Sequence, residues 1–184
     1  YKDDGPGDSA PDPATLAAIA EPEPKLEPLH RFANRPYNVF GIEYVPLTAV
    51  TPFTQRGLAS WYGRKFQGQR TSSGEPYDMY GMTAAHPTLP VPSYALVTSV
   101  ANGRSVIVRV NDRGPFHGGR IIDLSYTAAW KLGFAAAGSA PVEVELITPD
   151  QIPVILARRG LDATTQGAAQ PQAPMRAEPV RTAA

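Results

Sequence analysis

The sequence predicts a mainly β domain, a small barrel or sandwich with one or two short helices. Between residues 56 and 147, apolar and polar residues alternate every second position in several short stretches, and frequent turn signals separate these stretches. Only residues 125–132 have the spacing and the end signals of a helix. A single helix among many short strands is typical of a barrel or a sandwich.

The individual elements follow from local patterns. The best strand predictions are residues 56–62, 94–100, 105–110 and 142–147. Asn102-Gly103 is a typical tight-turn pair, so the second and third of these strands are expected to form a hairpin. The predicted helix begins after Ser125, whose hydroxyl can cap it, and ends at Gly133 in the left-handed conformation.

Composition divides the chain into four parts. Residues 1–35 are rich in Asp, Pro, Glu and Ala, which predicts an extended, disordered leader that buries too little apolar surface to offset its ordering entropy. Residues 36–55 are expected to form an extended, hairpin-like segment that packs on the β domain, which spans residues 56–148. Residues 149–184 have the composition of a linker, so both termini are predicted to be flexible.

Composition also argues against several classes of function. The chain has 17 basic and 17 acidic residues without long basic runs, so nucleic acid is not an expected partner. No run of about 18 or more apolar residues occurs, and no transmembrane segment is predicted. Cys is absent and the three His lack a recognisable ligand spacing, so we predict neither a metal site nor a cofactor.

The run of residues 106–116, VIVRVNDRGPF, carries most of the chemical information. Its valines share one face of a strand, and Asp112 emerges at the strand end before a Gly-Pro turn. A carboxylate on such a supported element holds its geometry well enough for acid-base chemistry. Taken alone, the same Asp is more often a turn cap or an ion pair with its neighbour Arg113.

Further short motifs lie in order on both sides of this run. They are ASWYG at 59–63, FQG at 66–68, TSSGE at 71–75, TAAHPTLP at 83–90 and GRIIDLS at 119–125. Together they resemble the rare lipoprotein A family of bacterial cell-wall lytic transglycosylases over about half of the chain. The resemblance implies a six-stranded double-psi β-barrel, a fold similar to that of expansins, and it selects the barrel over the sandwich.

The resemblance implies an endolytic peptidoglycan lytic transglycosylase. Such an enzyme cleaves the bond between N-acetylmuramic acid and N-acetylglucosamine in denuded glycan strands, and leaves 1,6-anhydro ends without hydrolysis. The alternative is a non-catalytic, expansin-like envelope lipoprotein that binds peptidoglycan, because the presence of the motif residues does not guarantee turnover. A more distant alternative is a structural lipoprotein that binds another envelope protein.

The family's functional triad matches Glu75, His86 and Asp112. Glycoside cleavage needs a proton for the leaving oxygen and stabilisation of positive charge at the anomeric carbon, so Asp112 is predicted to be the general acid and base. Glu75 is expected to orient Asp112 or to stabilise that charge, unless it is a solvated loop residue. His86 is expected to hold a carboxylate or to bind the sugar, although a lone His is more often a satisfied buried residue.

Sugar binding requires flat apolar faces with polar edges. The predicted substrate-binding residues are Tyr62, Phe66, Tyr77, Arg113 and Phe116. Trp61 is expected in the core, because it alternates with Tyr62 along a strand. Asp123 and Arg120 are expected to be structural, with Asp123 paired to Arg113, or to border the groove.

The resemblance also implies a location in the bacterial cell envelope, on the periplasmic side of the outer membrane. In the full-length precursor, a lipidated Cys upstream of Tyr1 would serve as the anchor. The expected partners are peptidoglycan glycan strands, together with divisome or other envelope proteins. Many family members also carry a C-terminal sporulation-related repeat domain, and residues 149–184 resemble the linker that leads to it.

Overall fold

The structure is a computed structural model that describes residues 10–168, with side chains described for residues 10–160. Three α-helices are present in this range: α1 (Pro13–Ala18), α2 (Tyr126–Leu132) and α3 (Ile152–Ala168). A 3-10 turn spans Arg64–Phe66. The eight strands are β1 (Tyr37–Val39), β2 (Ile42–Tyr44), β3 (Thr54–Trp61), β4 (Thr83–Ala85), β5 (Ser93–Ser99), β6 (Ser105–Asp112), β7 (Arg120–Leu124) and β8 (Ser139–Leu146).

Strands β3 to β8 close into a six-stranded barrel in the spatial order β3-β7-β4-β6-β5-β8. Two neighbouring pairs are parallel, β3 with β7 and β4 with β6. The other pairs are antiparallel. The predicted mainly β class with a closed barrel is therefore confirmed.

The barrel interior is filled by the alternating residues of its strands. On β6, Val106, Val108 and Val110 are buried, as the two-residue period predicts. The largest core cluster joins them to side chains from the other strands and from α2, including Leu124, Leu132 and Val144. Because each fully buried side chain of this size contributes about 1.5–3 kcal/mol, the closed core gives the strand ends a rigid base.

The predicted helix is α2, and its two ends are formed as expected. The Ser125 side chain accepts a hydrogen bond from the Ala128 N–H and caps the first turn. Gly133 ends the helix with φ of 90°, a left-handed conformation that glycine adopts without steric cost. Asn102 and Gly103 lie in the turn between β5 and β6, where Gly103 has φ of 73°.

The described part of the leader, residues 10–35, packs on the barrel and does not form the disordered segment that composition predicted. Helix α1 buries Leu16, and Glu21 Oε1 accepts a hydrogen bond from the Ile107 N–H at 2.5 Å. Strand β4 is only three residues long, so the first half of β6 has an open edge that Glu21 covers. Composition reflects apolar content and does not reveal polar contacts such as that between Glu21 and Ile107. Residues 1–9 lie outside the described part of the chain.

The described part of the predicted linker, residues 149–168, also differs from the expectation, because it contains α3. Ile152 and Ile155 pack against the small core cluster around Tyr94. Arg159 donates a hydrogen bond to the Pro22 carbonyl at 3.1 Å, so α3 contacts the leader as well as the barrel. Residues 169–184 lie outside the described range. Within residues 10–168, no helix is long and apolar enough to cross a bilayer.

Strands β1 and β2 form a hairpin that turns at Phe40 and Gly41, both with positive φ. The rings of Tyr37 and Tyr44 stack with centroids 5.2 Å apart. Both rings also contact the edge of Phe116, at 5.9 and 5.4 Å. The segment before the barrel is thereby fixed against the loop that follows Asp112.

Candidate active site

The register of four neighbouring strands assembles the site. Asp112 at the end of β6 lies opposite Ala85 on β4, and Ala85 lies opposite Asp123 on β7. Asp123 in turn lies opposite Ser60 on β3. Neighbouring strands are about 4.8 Å apart, so the backbones of the two Asp residues are separated by about 10 Å. The small side chain of Ala85 lies between them.

A cavity of about 340 Å³ opens over these strand ends, a volume in the range of small-ligand sites. Aromatic rings, two carboxylates and several cationic groups form its walls. The lining residues are Trp61, Tyr62, Phe66, Gln69, Arg70, Tyr77, Ala85, Asp112, Arg113, Gly114, Pro115, Phe116, His117, Arg120 and Asp123. Flat apolar faces beside hydrogen-bonding groups are the chemistry that a sugar chain requires.

The Asp112 carboxylate is held through one of its oxygens. Oδ1 accepts hydrogen bonds from the Ser72 N–H at 2.9 Å, from the Ser72 hydroxyl at 2.8 Å and from the Arg113 N–H at 2.8 Å. Within the described residues, Oδ2 has no hydrogen-bond partner. Oδ2 is therefore the oxygen that is available to give or accept a proton in the cavity.

Glu75 fastens the loop that carries Ser72. Its carboxylate accepts two hydrogen bonds from Arg109 Nη1, at 2.7 and 2.6 Å, and one from Asn111 Nδ2 at 3.2 Å. Burial raises the pKa of Glu75, but the hydrogen bonds from Arg109 and Asn111 outweigh it and hold the pKa below its usual value. Ser73 N–H adds a bond to the Asn111 carbonyl at 3.2 Å. Glu75 thus ties the loop to β6 from outside the cavity.

His86 is buried, with 2% of its surface exposed, and it does not line the cavity. Its Nδ1 accepts hydrogen bonds from the N–H groups of Thr88 and Leu89, both at 3.1 Å. Nε2 lies 2.8 Å from Gln55 Oε1, so these partners assign the neutral tautomer with the proton on Nε2. Burial and the nearby Arg113 charge lower the pKa of His86 to about 3. The His86 N–H donates to the Asp112 carbonyl at 3.0 Å, which braces the end of β6.

Of the predicted triad, only Asp112 has its side chain in the cavity. Successive side chains of a strand point to opposite faces. Because Ala85 at the end of β4 faces the cavity, His86 faces away from it. Glu75 and His86 instead support Asp112 through the Ser72 loop and through the backbone. Their catalytic importance stays a prediction.

The side chain of Arg113 lines the cavity, but its guanidinium binds protein carbonyls. It donates to the Ala33 carbonyl from Nε and Nη2, at 3.1 and 3.0 Å, and to the His86 and Leu89 carbonyls from Nη1. Burial lowers the pKa of Arg113. Among the described residues it forms no ion pair, so the predicted pairs with Asp112 and Asp123 are absent. The geometry supports a structural role in place of the predicted substrate contact.

The aromatic residues of the cavity differ in how deeply they are buried. Tyr62 stacks on Tyr77 with centroids 3.9 Å apart, and both rings are largely buried beneath the cavity. Phe66 is 41% exposed and contacts the edge of Tyr62. Trp61 also lines the cavity, where its indole N–H donates to the Ala135 carbonyl at 2.9 Å. Trp61 was expected in the core, and it is partly buried against two core clusters while one side of it lines the cavity.

Asp123 is the second carboxylate of the cavity. From the sequence it was expected to be structural or to border the groove. Its Oδ1 accepts a hydrogen bond from the Ser60 hydroxyl and lies 3.3 Å from Arg120 Nη1. Burial raises the pKa of Asp123, and the nearby Asp112 charge adds to this effect. Asp112 ends β6 and Asp123 lies next to the end of β7. The available sequence signal was a carboxylate near the end of each of these two strands.

Among the residues with described side chains, no group of three or more His, Asp and Glu is arranged to hold a metal ion.

Comparison with known families identifies the class of this domain. Residues 54–144 match the family model of a double-psi barrel domain described as lytic transglycolase. Through these residues the chain belongs to that family, and the resemblance seen in the sequence motifs is confirmed.

Individual relatives lead to a narrower group. The endolytic peptidoglycan transglycosylase RlpA of Vibrio cholerae is 54% identical over 145 residues, which cover 78% of this chain and 55% of the relative. The protein of the same name from Neisseria meningitidis serogroup B is 59% identical over 134 residues, covering 73% and 56%. The chain thus spans about half the length of these relatives. An expansin structure from Clavibacter michiganensis has a TM-score of 0.41 at 22% identity, covering 53% of this chain and 52% of that chain.

Proposed function

We propose that this protein is an endolytic peptidoglycan lytic transglycosylase that cleaves the bond between N-acetylmuramic acid and N-acetylglucosamine in denuded glycan strands. The observation that carries the proposal is a pair of carboxylates, Asp112 and Asp123, on either side of Ala85 in an aromatic-lined cavity. The names of the relatives in the same family support this activity.

Asp112 acts first as an acid and then as a base. Its Oδ2 gives a proton to the glycosidic oxygen as the bond from that oxygen to C1 of the muramic residue breaks. The C6 hydroxyl oxygen of the same residue then bonds to C1 and returns its proton to Oδ2. The product carries a 1,6-anhydro ring, no water is consumed, and Asp112 ends in its starting state.

Asp123 stabilises the positive charge that develops at C1 when the bond breaks. A carboxylate fixed beside an oxocarbenium-like centre lowers the barrier, because it needs no reorganisation during the reaction. Ser60 and Arg120 keep Asp123 oriented, and the Arg120 charge favours its ionised form. Glu75 and His86 act as positioning residues for Asp112.

The aromatic residues bind the sugar rings. The exposed Phe66 and the partly buried Phe116 and Trp61 line the cavity and provide surfaces on which pyranose rings stack, above the floor formed by Tyr62 and Tyr77. By family resemblance we place the protein in the cell envelope, at the periplasmic side of the outer membrane with a lipid anchor. Divisome or other envelope proteins are its proposed partners there.

The test is incubation of the protein with denuded glycan strands in ¹⁸O-water, followed by mass analysis of the new ends. We expect shortened strands with 1,6-anhydro ends that carry no ¹⁸O. Hydrolysis would introduce ¹⁸O at the new reducing end and would overturn the transglycosylase mechanism. Strands that bind to the protein but keep their length would support the wall-binding alternative.

Asp123→Asn is expected to lower the turnover of glycan strands about tenfold, which corresponds to about 1.4 kcal/mol of barrier. The amide keeps the shape of the side chain but removes its negative charge. The pKa of Asp123 is raised above its ordinary value of 3.8, so Asp123 takes up its proton at a higher pH than a free Asp. The wild-type rate should therefore fall as the pH decreases toward this raised pKa. The variant should lose this part of the pH profile. A profile identical to that of the wild type would exclude Asp123 as the titrating group.

A further inference from the structure

A second cavity, of about 490 Å³, lies beside the first, between the barrel and the segment that precedes β1. We call it the strap cavity, and its outer wall is formed by Phe32, Arg35 and Tyr37. Arg113 and Phe116 line both cavities, so the two are neighbouring parts of one groove. Ser72, which holds Asp112, also lines the strap cavity.

The outer wall of the strap cavity is fixed by hydrogen bonds. Arg113 binds the Ala33 carbonyl and Asn34 Oδ1, and Asn34 Nδ2 donates to the Val91 carbonyl at 2.7 Å. The Tyr37 hydroxyl donates to the Pro87 carbonyl at 2.7 Å. The wall is therefore already in place before a ligand arrives, which reduces the entropy lost on binding.

The wall carries positive charge without a counter-charge. The Arg35 guanidinium lies 4.6 Å from the centre of the Phe32 ring, and that of Arg31 lies 5.4 Å from it. Within residues 10–160, neither Arg31 nor Arg35 forms an ion pair with a carboxylate. Of the two, only Arg35 lines the cavity. A planar guanidinium that is held on an aromatic face can bind a carboxylate through two parallel hydrogen bonds.

We propose that the strap cavity is an additional subsite for an N-acetylmuramic acid residue of the same glycan strand, and that Arg35 binds the lactyl carboxylate of this residue. The inference rests on the proposed function. Two observations support it. Arg35 has no carboxylate partner within residues 10–160, and the cavity that it lines continues into the Asp112 cavity. The outer wall lies outside residues 54–144, so the N-terminal segment supplies this wall, whereas Ser72, Arg113 and Phe116 of the family domain supply the inner one.

The test measures binding to an uncleaved strand. In the Asp112→Asn background, calorimetry compares a denuded muramic acid-containing oligosaccharide with an uncharged N-acetylglucosamine oligomer of equal length. Arg35→Gln should weaken binding of the charged oligosaccharide about tenfold, the size of one charge-assisted hydrogen-bonded contact, and leave the uncharged oligomer unchanged. The matched control is Arg31→Gln, which removes a neighbouring charge on the same ring outside the cavity and should change neither affinity.

The outcomes separate the subsite from the proposed function. Equal losses for Arg35→Gln and Arg31→Gln would indicate unspecific attraction and would overturn the subsite, as would equal losses for both oligosaccharides. Tight binding that Arg35→Gln does not change would overturn the subsite but leave the proposed function intact. Failure of the Asp112→Asn protein to bind either oligosaccharide would overturn both.

Discussion

Asp112→Asn is expected to lower the rate of 1,6-anhydro product formation by about 10²-fold to 10⁴-fold, the usual contribution of a positioned acid and base. The substitution replaces Oδ2, the oxygen proposed to transfer the proton, with an amide nitrogen. It keeps Oδ1, which accepts all three hydrogen bonds from Ser72 and Arg113. The melting temperature should therefore stay close to that of the wild type, and product formation and thermal unfolding should be measured on the same preparation.

Asp78→Asn is the matched control, because Asp78 is an exposed carboxylate that does not line the cavity. This variant should retain full product yield. An Asp112→Asn protein that forms products at the wild-type rate would remove Asp112 from the mechanism. Loss of both activity and folding would show that the Ser72 contacts need a full carboxylate, and Asp112→Glu would then test whether a displaced carboxyl group restores any product.

His86→Ala is expected to lower the free energy of unfolding by about 3 kcal/mol, because it leaves two buried N–H groups without an acceptor and opens a void. These groups belong to Thr88 and Leu89. His86→Asn should recover part of the loss, since its side-chain oxygen can accept in place of Nδ1. Denaturant unfolding of the three proteins gives the comparison. If the Ala variant is as stable as the wild type, the imidazole does not support this loop.

The same histidine should make stability depend on pH. Its folded pKa is about 3, below the ordinary value of 6.5, so the unfolded chain takes up this proton more readily. The contribution of His86 is therefore complete above pH 6.5 and decreases as the pH falls toward 3. His86→Asn should flatten this part of the stability curve relative to the wild type. Equal slopes for the two proteins would contradict a buried neutral His86.

Local patterns in the sequence determine much of the fold and one member of the site. The alternation of Val106, Val108 and Val110 defines β6 and places Asp112 at its end, because burial of one strand face is a local property. Ser125 and Gly133 define both ends of α2 for the same reason, since a cap needs only its own helix. The ordered motifs then identify the barrel family.

Only the tertiary structure decided which side chains share the cavity. Asp123 is 11 positions from Asp112 in the sequence, and the two are brought to the same rim because both of their strands pair with β4. The same register turns His86 away from the cavity. The docking of Glu21 on β6 depends on an edge that short β4 leaves open. Such contacts join segments distant along the chain, and the closure of the barrel, which no local pattern encodes, sets their geometry.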